Sequence, residues 1–117
     1  MNAYEIPGMR FSLPAGGAVA QHRFVSVTSG EATQATAETQ IVGVSMNEVT
    51  ATEVAANPRI VEIATGLVMV EAAGAITSGA VVYANADGKA ASSGTIAAGV
   101  AITTAESAGD LVTVKVD

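Results

Sequence analysis

The chain has 117 residues and a formal net charge of −6, and it is 50% apolar but only 3% aromatic. Its length suits one domain, and the absence of cysteine excludes a disulfide scaffold and thiolate metal sites. The single histidine, His22, excludes a metal site built from several histidines, and five basic residues are too few for a nucleic-acid surface.

The N-terminal residues 1–14 differ in composition from the rest of the chain. They contain two of the three prolines, Pro7 and Pro14, which disfavour a continuous helix or a central strand. We therefore predict an extended arm over residues 1–14, followed by one domain over residues 15–117. Five of the arm's large apolar side chains are costly to leave in water, so we expect the arm to dock on a partner rather than fray. They are Tyr4, Ile6, Met9, Phe11 and Leu13.

An internal repeat begins at residue 15. Five segments match five later ones: 15–19 with 72–76, 24–25 with 81–82, 28–32 with 85–90 after a one-residue gap, 42–44 with 98–100, and 59–63 with 110–114. Two copies are too few for a solenoid, which needs about three or more units. The repeat therefore predicts a small barrel or sandwich made of two similar halves.

Short runs with period-two alternation and β-branched residues predict strands along the chain. The predicted strands are residues 24–28, 41–46, 60–63, 66–71, 80–84, 99–103 and 111–116. Glycine, asparagine and proline signals separate them; Asp87-Gly88 is the clearest hairpin turn, and Thr65-Gly66 is interpreted as a further turn. In the last strand Thr113 and Lys115 are expected to face water. A short helix is predicted over residues 47–56, capped by Asn47 or Thr50, and residues 31–39 are interpreted as a loop.

These elements predict an all-β fold with one short helix, either a barrel or a sandwich. The apolar half of the chain is mostly alanine and valine, which bury less area per residue than leucine or phenylalanine. We therefore expect stability to be gained by contact with copies of the chain or with a partner. A strand of small side chains could pack closely across a symmetric interface. The residues of this candidate oligomer interface are Leu67, Val68, Met69 and Val70.

No group of residues predicts catalysis or the binding of a cofactor or metal. Residues 85–88 resemble the middle of a calcium loop, but Tyr83 and Gly94 stand where acidic ligands are needed. Glu48 and Glu53 lack a nearby nucleophile or apolar pocket, and a solvated face is the favoured interpretation. His22 is interpreted as a surface or interface residue. We expect a binding or structural role and no enzymatic activity.

The N-terminus lacks the basic and apolar regions of a secretory signal, which predicts synthesis and folding in a cytosol. The longest strongly apolar run, Leu67-Val68-Met69-Val70, is far shorter than the roughly 20 residues that span a bilayer. We therefore expect no membrane partner.

The order of several motifs resembles the capsid decoration, or head cement, proteins of tailed bacteriophages. The strongest part is AAGAITSGAVVYANADGK at residues 72–89, with PAGGAV at 14–19, IVGV at 41–44, GVA at 99–101 and GDLVTV at 109–114. This resemblance implies a compact β-barrel or β-tulip domain, usually trimeric, on the outer capsid surface, with the major capsid protein as partner. It implies no enzymatic activity. By analogy of position alone, it suggests that the arm contacts the capsid through Tyr4, Ile6, Pro7, Met9 and Phe11.

The leading hypothesis is a virion protein, made in the host bacterial cytoplasm, that binds the outer surface of the mature capsid and stabilises the shell. The acidic charge fits an exterior position away from packaged DNA. One alternative is another phage structural component, such as a tail or fibre-base protein, or an adhesin module. A second is a small β-barrel that binds a ligand, which the shortage of large side chains disfavours.

Overall fold

The computed structural model describes residues 5–56 and 59–116 and shows nine strands and one short helix. The elements are β1 (Ile6–Pro14), β2 (Phe24–Thr28), β3 (Glu31–Gln34), β4 (Gly43–Ser45), α1 (Ala51–Ala56), β5 (Ile60–Glu71), β6 (Val81–Ala84), β7 (Ala90–Ala91), β8 (Ala97–Ala101) and β9 (Leu111–Val116). They form one antiparallel sheet in the order β3-β2-β4-β5-β9-β8-β6-β7, with β1 paired to β5. The sheet curls into a half-barrel, which confirms the predicted all-β fold.

The strand pairing repeats in two halves that meet within β5. We call residues 6–64 the first half and residues 66–116 the second half. The pairs β2–β3, β2–β4, β4–β5 and β1–β5 of the first half correspond to β6–β7, β6–β8, β8–β9 and β5–β9 of the second. Phe24 is opposite Val44 in the first half, and Val81 is opposite Val100 in the second.

Isolated bridges between loops show the same correspondence. Ala15 bridges Ala32 in the first half, and Ala72 bridges Ala90 in the second. Val19 likewise bridges Val49, as Ile76 bridges Ala105. The residues that correspond in structure are separated by the same number of positions as the segments that match in sequence. The repeat predicted from the sequence is therefore a structural repeat.

The buried side chains form two clusters. The smaller one contains Val19, Val25, Val61 and Ile63 and belongs to the first half alone. The larger one joins the equivalent core of the second half to residues from the first half, including the fully buried Phe24. Packing of one half against the other therefore creates much of the core.

Two segments predicted as a loop and a turn are strand in the structure, and β4 (Gly43–Ser45) and β8 (Ala97–Ala101) differ by about two residues from their predicted bounds. Residues 31–34 form β3 rather than a loop, because Ala32 is fully buried and the segment pairs with β2. Thr65 and Gly66 do not form a turn, because β5 continues from Ile60 to Glu71. Gly66 has a φ of 93°, and a Cβ atom there would collide with the backbone nitrogen of Gly8 in β1. Glycine at this position therefore permits a close approach of two strands.

Thr113 is buried rather than facing water as predicted. The backbone N–H of Ile102 donates to its carbonyl at 2.7 Å, and its own N–H donates to Oγ1 of Thr103 at 2.9 Å. The residues that follow β8 therefore lie beside the middle of β9, and the alternation of polar and apolar residues along β9 does not predict the burial of Thr113. Lys115 is exposed, as expected.

The helix is shorter than predicted and begins after Thr50. Oγ1 of Thr50 accepts the backbone N–H of Glu53 at 3.2 Å, and Oε1 of Glu53 accepts the N–H of Thr50 at 3.1 Å. This reciprocal capping box lowers the pKa of Glu53 through the backbone and side-chain hydrogen bonds from Thr50. Asn47 instead bonds β5 through Ile60 and Glu62. No helix among the described residues is long and apolar enough to cross a membrane.

Candidate functional site

Strand β1, the described part of the predicted arm, lies at an edge of the sheet. Among the described strands it pairs with β5 alone, from Ile6 opposite Leu67 to Pro14 opposite Ile60. The segment is extended, as the prolines indicated, and its outer edge is available for a partner. Whether residues 1–14 act as a unit separate from the domain stays a prediction.

The predicted contact residues differ in exposure. Ile6 is 62% exposed and Met9 is 63% exposed, the two highest values among the large apolar residues described. Phe11 is half-buried and packs against the first-half cluster. The side chain of Pro7 and the whole of Tyr4 lie outside the described part of the chain. The structure thus places two exposed apolar side chains, Ile6 and Met9, at one end of the edge strand.

A bulge determines the position of Met9. The register of β1 against β5 shifts between Pro7 and Arg10. Within this bulge the backbone N–H of Met9 donates to Oγ1 of Thr65 at 3.3 Å. A bulge bends a strand and redirects its side chains, and here it interrupts the ladder beside the most exposed apolar residue. In the sequence, Gly66 within the alternating residues of β5 is the feature that indicates this close approach of β1 to β5.

Polar contacts hold the strand on either side of the bulge. Oε1 of Glu5 accepts the backbone N–H of Met69 at 3.3 Å and lies 4.0 Å from Nδ1 of His22. Nη2 of Arg10 lies 3.1 Å from Oε2 of Glu62, with both side chains more than half exposed. These contacts anchor β1 to the domain, so its apolar side chains are held in a defined place.

The candidate oligomer interface at residues 67–70 has two different faces. Val68 and Val70 are fully buried in the larger cluster of the chain's own core. Leu67 and Met69 are half-buried on the opposite face. Only Leu67 and Met69 therefore have side-chain area to offer a second chain, and the interface itself stays a prediction.

Glu71 forms one ionic contact between the two halves and a second one within its own half. Its carboxylate lies 3.2 Å from Nη2 of Arg23 in the first half and 3.1 Å from Nζ of Lys89 in the second. The hydrogen bond from Lys89, with a further contribution from Arg23, holds the pKa of Glu71 below its usual value despite partial desolvation. The network stabilises the junction only while the carboxylate is ionised.

We expect Glu71→Gln to lower the free energy of unfolding at neutral pH by about 1 kcal/mol, because a partly exposed ionic network is lost. The folded-state pKa lies below the unfolded value, so the contribution is present above the unfolded pKa and disappears as the pH falls through the folded pKa. Urea denaturation across pH measures this effect. Glu62→Gln, which breaks the exposed pair with Arg10, is the control and should change little. A Glu71→Gln deficit that persists in strong acid would contradict the assignment.

The other polar residues considered from the sequence are explained by local structure. The Asp87-Gly88 prediction is confirmed: β6 and β7 are antiparallel, and Oδ1 of Asn85 accepts the N–H groups of Asp87 and Lys89, each at 2.9 Å. Glu53 caps α1 and lies 3.7 Å from Arg59. Within the described residues, no group of three or more histidine, cysteine or acidic side chains could hold a metal ion.

Comparison with known proteins gives the family. The family model for phage cement protein matches residues 6–116, which is nearly the whole chain. The chain belongs to the phage cement protein family. It is therefore a structural protein of the phage virion, associated with the capsid, as the resemblance found in the sequence indicated.

A solved structure supports the fold independently. The chain is similar to the N base of the head fiber gp8.5 of bacteriophage phi29, with a TM-score of 0.73 and 20% sequence identity. The similarity covers 93% of each chain. At this identity the likeness shows a shared fold. No curated protein matches the chain.

Proposed function

We propose that this protein binds the outer surface of the mature capsid through the major capsid protein and stabilises the shell. It is made in the host bacterial cytoplasm, acts as a homotrimer, and has no enzymatic role. The observation that carries the proposal is the edge strand β1, which is anchored to the domain and exposes Ile6 and Met9. An adaptor for a shell needs such a defined apolar contact and needs no catalytic group.

The energetics of this surface suit a decoration protein. Burial of one large apolar side chain contributes about 1.5–3 kcal/mol, and an open strand edge adds main-chain hydrogen bonds when a partner segment pairs with it. Each copy therefore forms a modest contact. Several copies linked in one oligomer bind far more tightly, because the second contact is intramolecular.

The predicted residues have different parts in this proposal. Ile6 and Met9 contact the capsid directly, and Tyr4, which lies outside the described residues, stays a prediction from the sequence for the same contact. Pro7 stays in the proposed contact as a prediction from the sequence, and its backbone pairs with Gly66 of β5. Phe11 fixes β1 on the first-half core. Leu67 and Met69 are the members of the predicted oligomer interface that remain accessible.

The proposal is tested by co-sedimentation of the purified chain with expanded, undecorated capsids of the phage that encodes it. Removal of residues 1–13 would destroy the pairing of β1 with β5, so point substitutions are the better variants. Ile6→Glu with Met9→Glu places two charges in the contact, and we expect binding to fall by at least about tenfold. Leu111→Glu, at an exposed residue of β9, is the matched control and should bind like the native chain.

Two results would contradict the proposal. Failure of the native chain to bind expanded capsids would exclude the decoration role. Equal binding by the native chain and the Ile6→Glu/Met9→Glu variant would exclude β1 as the contact. A protease-resistance measurement on each variant shows whether the fold is retained.

A second candidate function is the base of a fibre on the phage head. The specific observation is the similarity, over 93% of both chains, to a protein described as a head fiber base. In that role the domain would join the capsid to a longer fibre. Electron microscopy of labelled virions separates the candidates, because a fibre base places density that projects beyond the domain.

A further inference from the structure

Equivalent positions in the two halves differ sharply in exposure. Phe24 and Val44 face each other across β2 and β4 and are fully buried. Their equivalents, Val81 and Val100, face each other across β6 and β8 but are 45% and 39% exposed. The local pairing is the same in both halves. The exposure differs because other parts of the described chain pack over Phe24 and Val44 but not over Val81 and Val100.

On the other face of β2 and β6 the second-half residue is the buried one and the first-half residue is exposed. Ala84 of β6 is buried in the cluster that also contains Phe24 and Ala35. Its equivalent in β2, Val27, is 43% exposed. The turn beside Val27 is open as well, because a Cβ atom on Gly30 would meet no other described atom within 4 Å.

The cover on the first half is the hairpin turn of the second half. The backbone N–H of Phe24 donates to the carbonyl of Gly88 at 2.8 Å. Nε2 of Gln34 donates to the carbonyl of Asp87 at 2.9 Å, and a Cβ atom on Gly88 would lie 3.2 Å from the carbonyl of Ala35. The β6–β7 turn of the second half thus packs on β2 and on the end of β3 of the first half.

We propose that a second copy of this chain repeats this contact between molecules. The front face, defined by Val81, Val100 and Lys115, receives the back face of the next copy, defined by Val27 and the turn at residues 28–31. Gly30 of the incoming turn occupies the place that Gly88 occupies within the chain. Both glycines have positive φ, 78° and 73°, although the β2–β3 turn is one residue shorter and its Ser29 also has positive φ, so the two turns share the glycine and not the whole backbone conformation.

Shape and charge at the two faces support this partner. A surface groove of about 390 Å³ borders the front face and is lined by Val81 and Val100 together with Gln40 and Ile41 of the first half. Lys115 lies opposite Val100 in the register, which places a positive charge on the front face. Glu31 is exposed at the turn of the back face, so the proposed contact joins opposite charges.

The pattern of exposure is selective, which argues against chance. Ile60 and Leu111 are also equivalent residues in the repeat, and both are exposed. Each apolar residue of the front and back faces has a buried equivalent in the other half, whereas Ile60 and Leu111 are each other's equivalents and neither is buried. An apolar residue is exposed while its apolar equivalent is buried only at the surfaces that take part in the packing of one half on the other. A front-to-back contact between identical chains is heterologous, and such contacts produce rings when their rotation closes.

This inference places the contacts of the proposed oligomer at Val81, Val100 and Val27 rather than at Leu67 and Met69, and it does not depend on capsid binding. Its tests use free protein, so its failure and the failure of the capsid role are distinguishable.

The first test is sedimentation equilibrium of the full chain over a wide concentration range. We expect the native chain to associate. Val81→Glu with Val100→Glu (the front variant) and Val27→Glu (the back variant) should each raise the dissociation constant by at least about tenfold, because a charge enters an apolar contact. Ile60→Glu is the control and should associate normally. A monomeric native chain, or native association in both variants, would overturn the proposal.

Mixing the variants tests the direction of the contact. The front variant keeps an intact back face and the back variant keeps an intact front face, so an equimolar mixture should form a one-to-one dimer and no larger species. A face-to-face contact would instead let one variant associate with itself, which would overturn the proposal.

Cross-linking keeps the test valid if the charged variants do not fold. The chain has no cysteine, so Val27→Cys and Val81→Cys introduce unique thiols. A short bismaleimide should join Val27→Cys to Val81→Cys when the two proteins are mixed, and should not join either protein to itself. Ile60→Cys mixed with Val81→Cys is the control and should remain uncoupled. Equal coupling in all mixtures would contradict the proposed contact.

Discussion

Phe24→Ala is expected to lower the free energy of unfolding by about 3–5 kcal/mol, the largest effect of any truncation in the described core. Phe24 is the largest fully buried side chain and packs in the cluster that joins the two halves. Its removal leaves a cavity where the β6–β7 turn meets β2. Stabilities of small domains are about 5–15 kcal/mol, so this one change removes much of the margin. Urea denaturation measures it.

The control for this prediction is Ile60→Ala. Ile60 is also a large apolar residue on a strand, but it is exposed, and truncation there should cost less than about 1 kcal/mol. If Phe24→Ala cost no more than Ile60→Ala, the two halves would not depend on Phe24, and the account of the joint core would be wrong.

The second large effect is expected at a pair of equivalent glycines, Gly43 and Gly99. A Cβ atom on Gly43 would lie 2.5 Å from Cγ2 of Ile63 and 2.8 Å from the carbonyl of Ala64. A Cβ atom on Gly99 would collide with the carbonyl of Lys115 in the neighbouring strand. Backbone cannot move aside as a side chain can, so we expect Gly43→Ala and Gly99→Ala each to cost about 3 kcal/mol or more.

A second pair of equivalent glycines provides the matched control. A Cβ atom on Gly17 or Gly74 would meet no described atom within 4 Å, and neither residue has positive φ. Alanine there should leave stability unchanged or raise it by about 0.4–1 kcal/mol, because the unfolded chain loses freedom. Thermal unfolding of all four variants tests the contrast. Similar melting temperatures in the two pairs would show that close strand approach does not explain Gly43 and Gly99.

Most of the fold could be predicted because local signals and the repeat agree. Period-two alternation located β2 and β9 at their observed bounds, and Asp87-Gly88 located the β6–β7 turn. The errors occur where tertiary contacts override local pattern. Thr113 alternates like an exposed residue but is covered by the chain that follows β8, and Gly66 reads as a turn because its partner strand, β1, is distant in sequence.

The candidate surfaces were less predictable than the fold. Sequence identified the apolar arm but not its bulge, which depends on the meeting of Gly8 with Gly66. The difference between Phe24 and Val81 could not be predicted, because both are apolar residues at the same place in a strand pair. Only the packing of one half on the other determines which of them is covered.

The central claim is that this chain sits on the outer capsid surface with β1 directed to the shell. Cryo-electron microscopy of expanded capsids incubated with the purified chain tests it most directly. The account predicts ordered density on the exterior, with the Ile6 and Met9 end of β1 against the major capsid protein and the β2–β3 turn away from it. Capsids without added density, or density that contacts the shell through another face, would contradict the account.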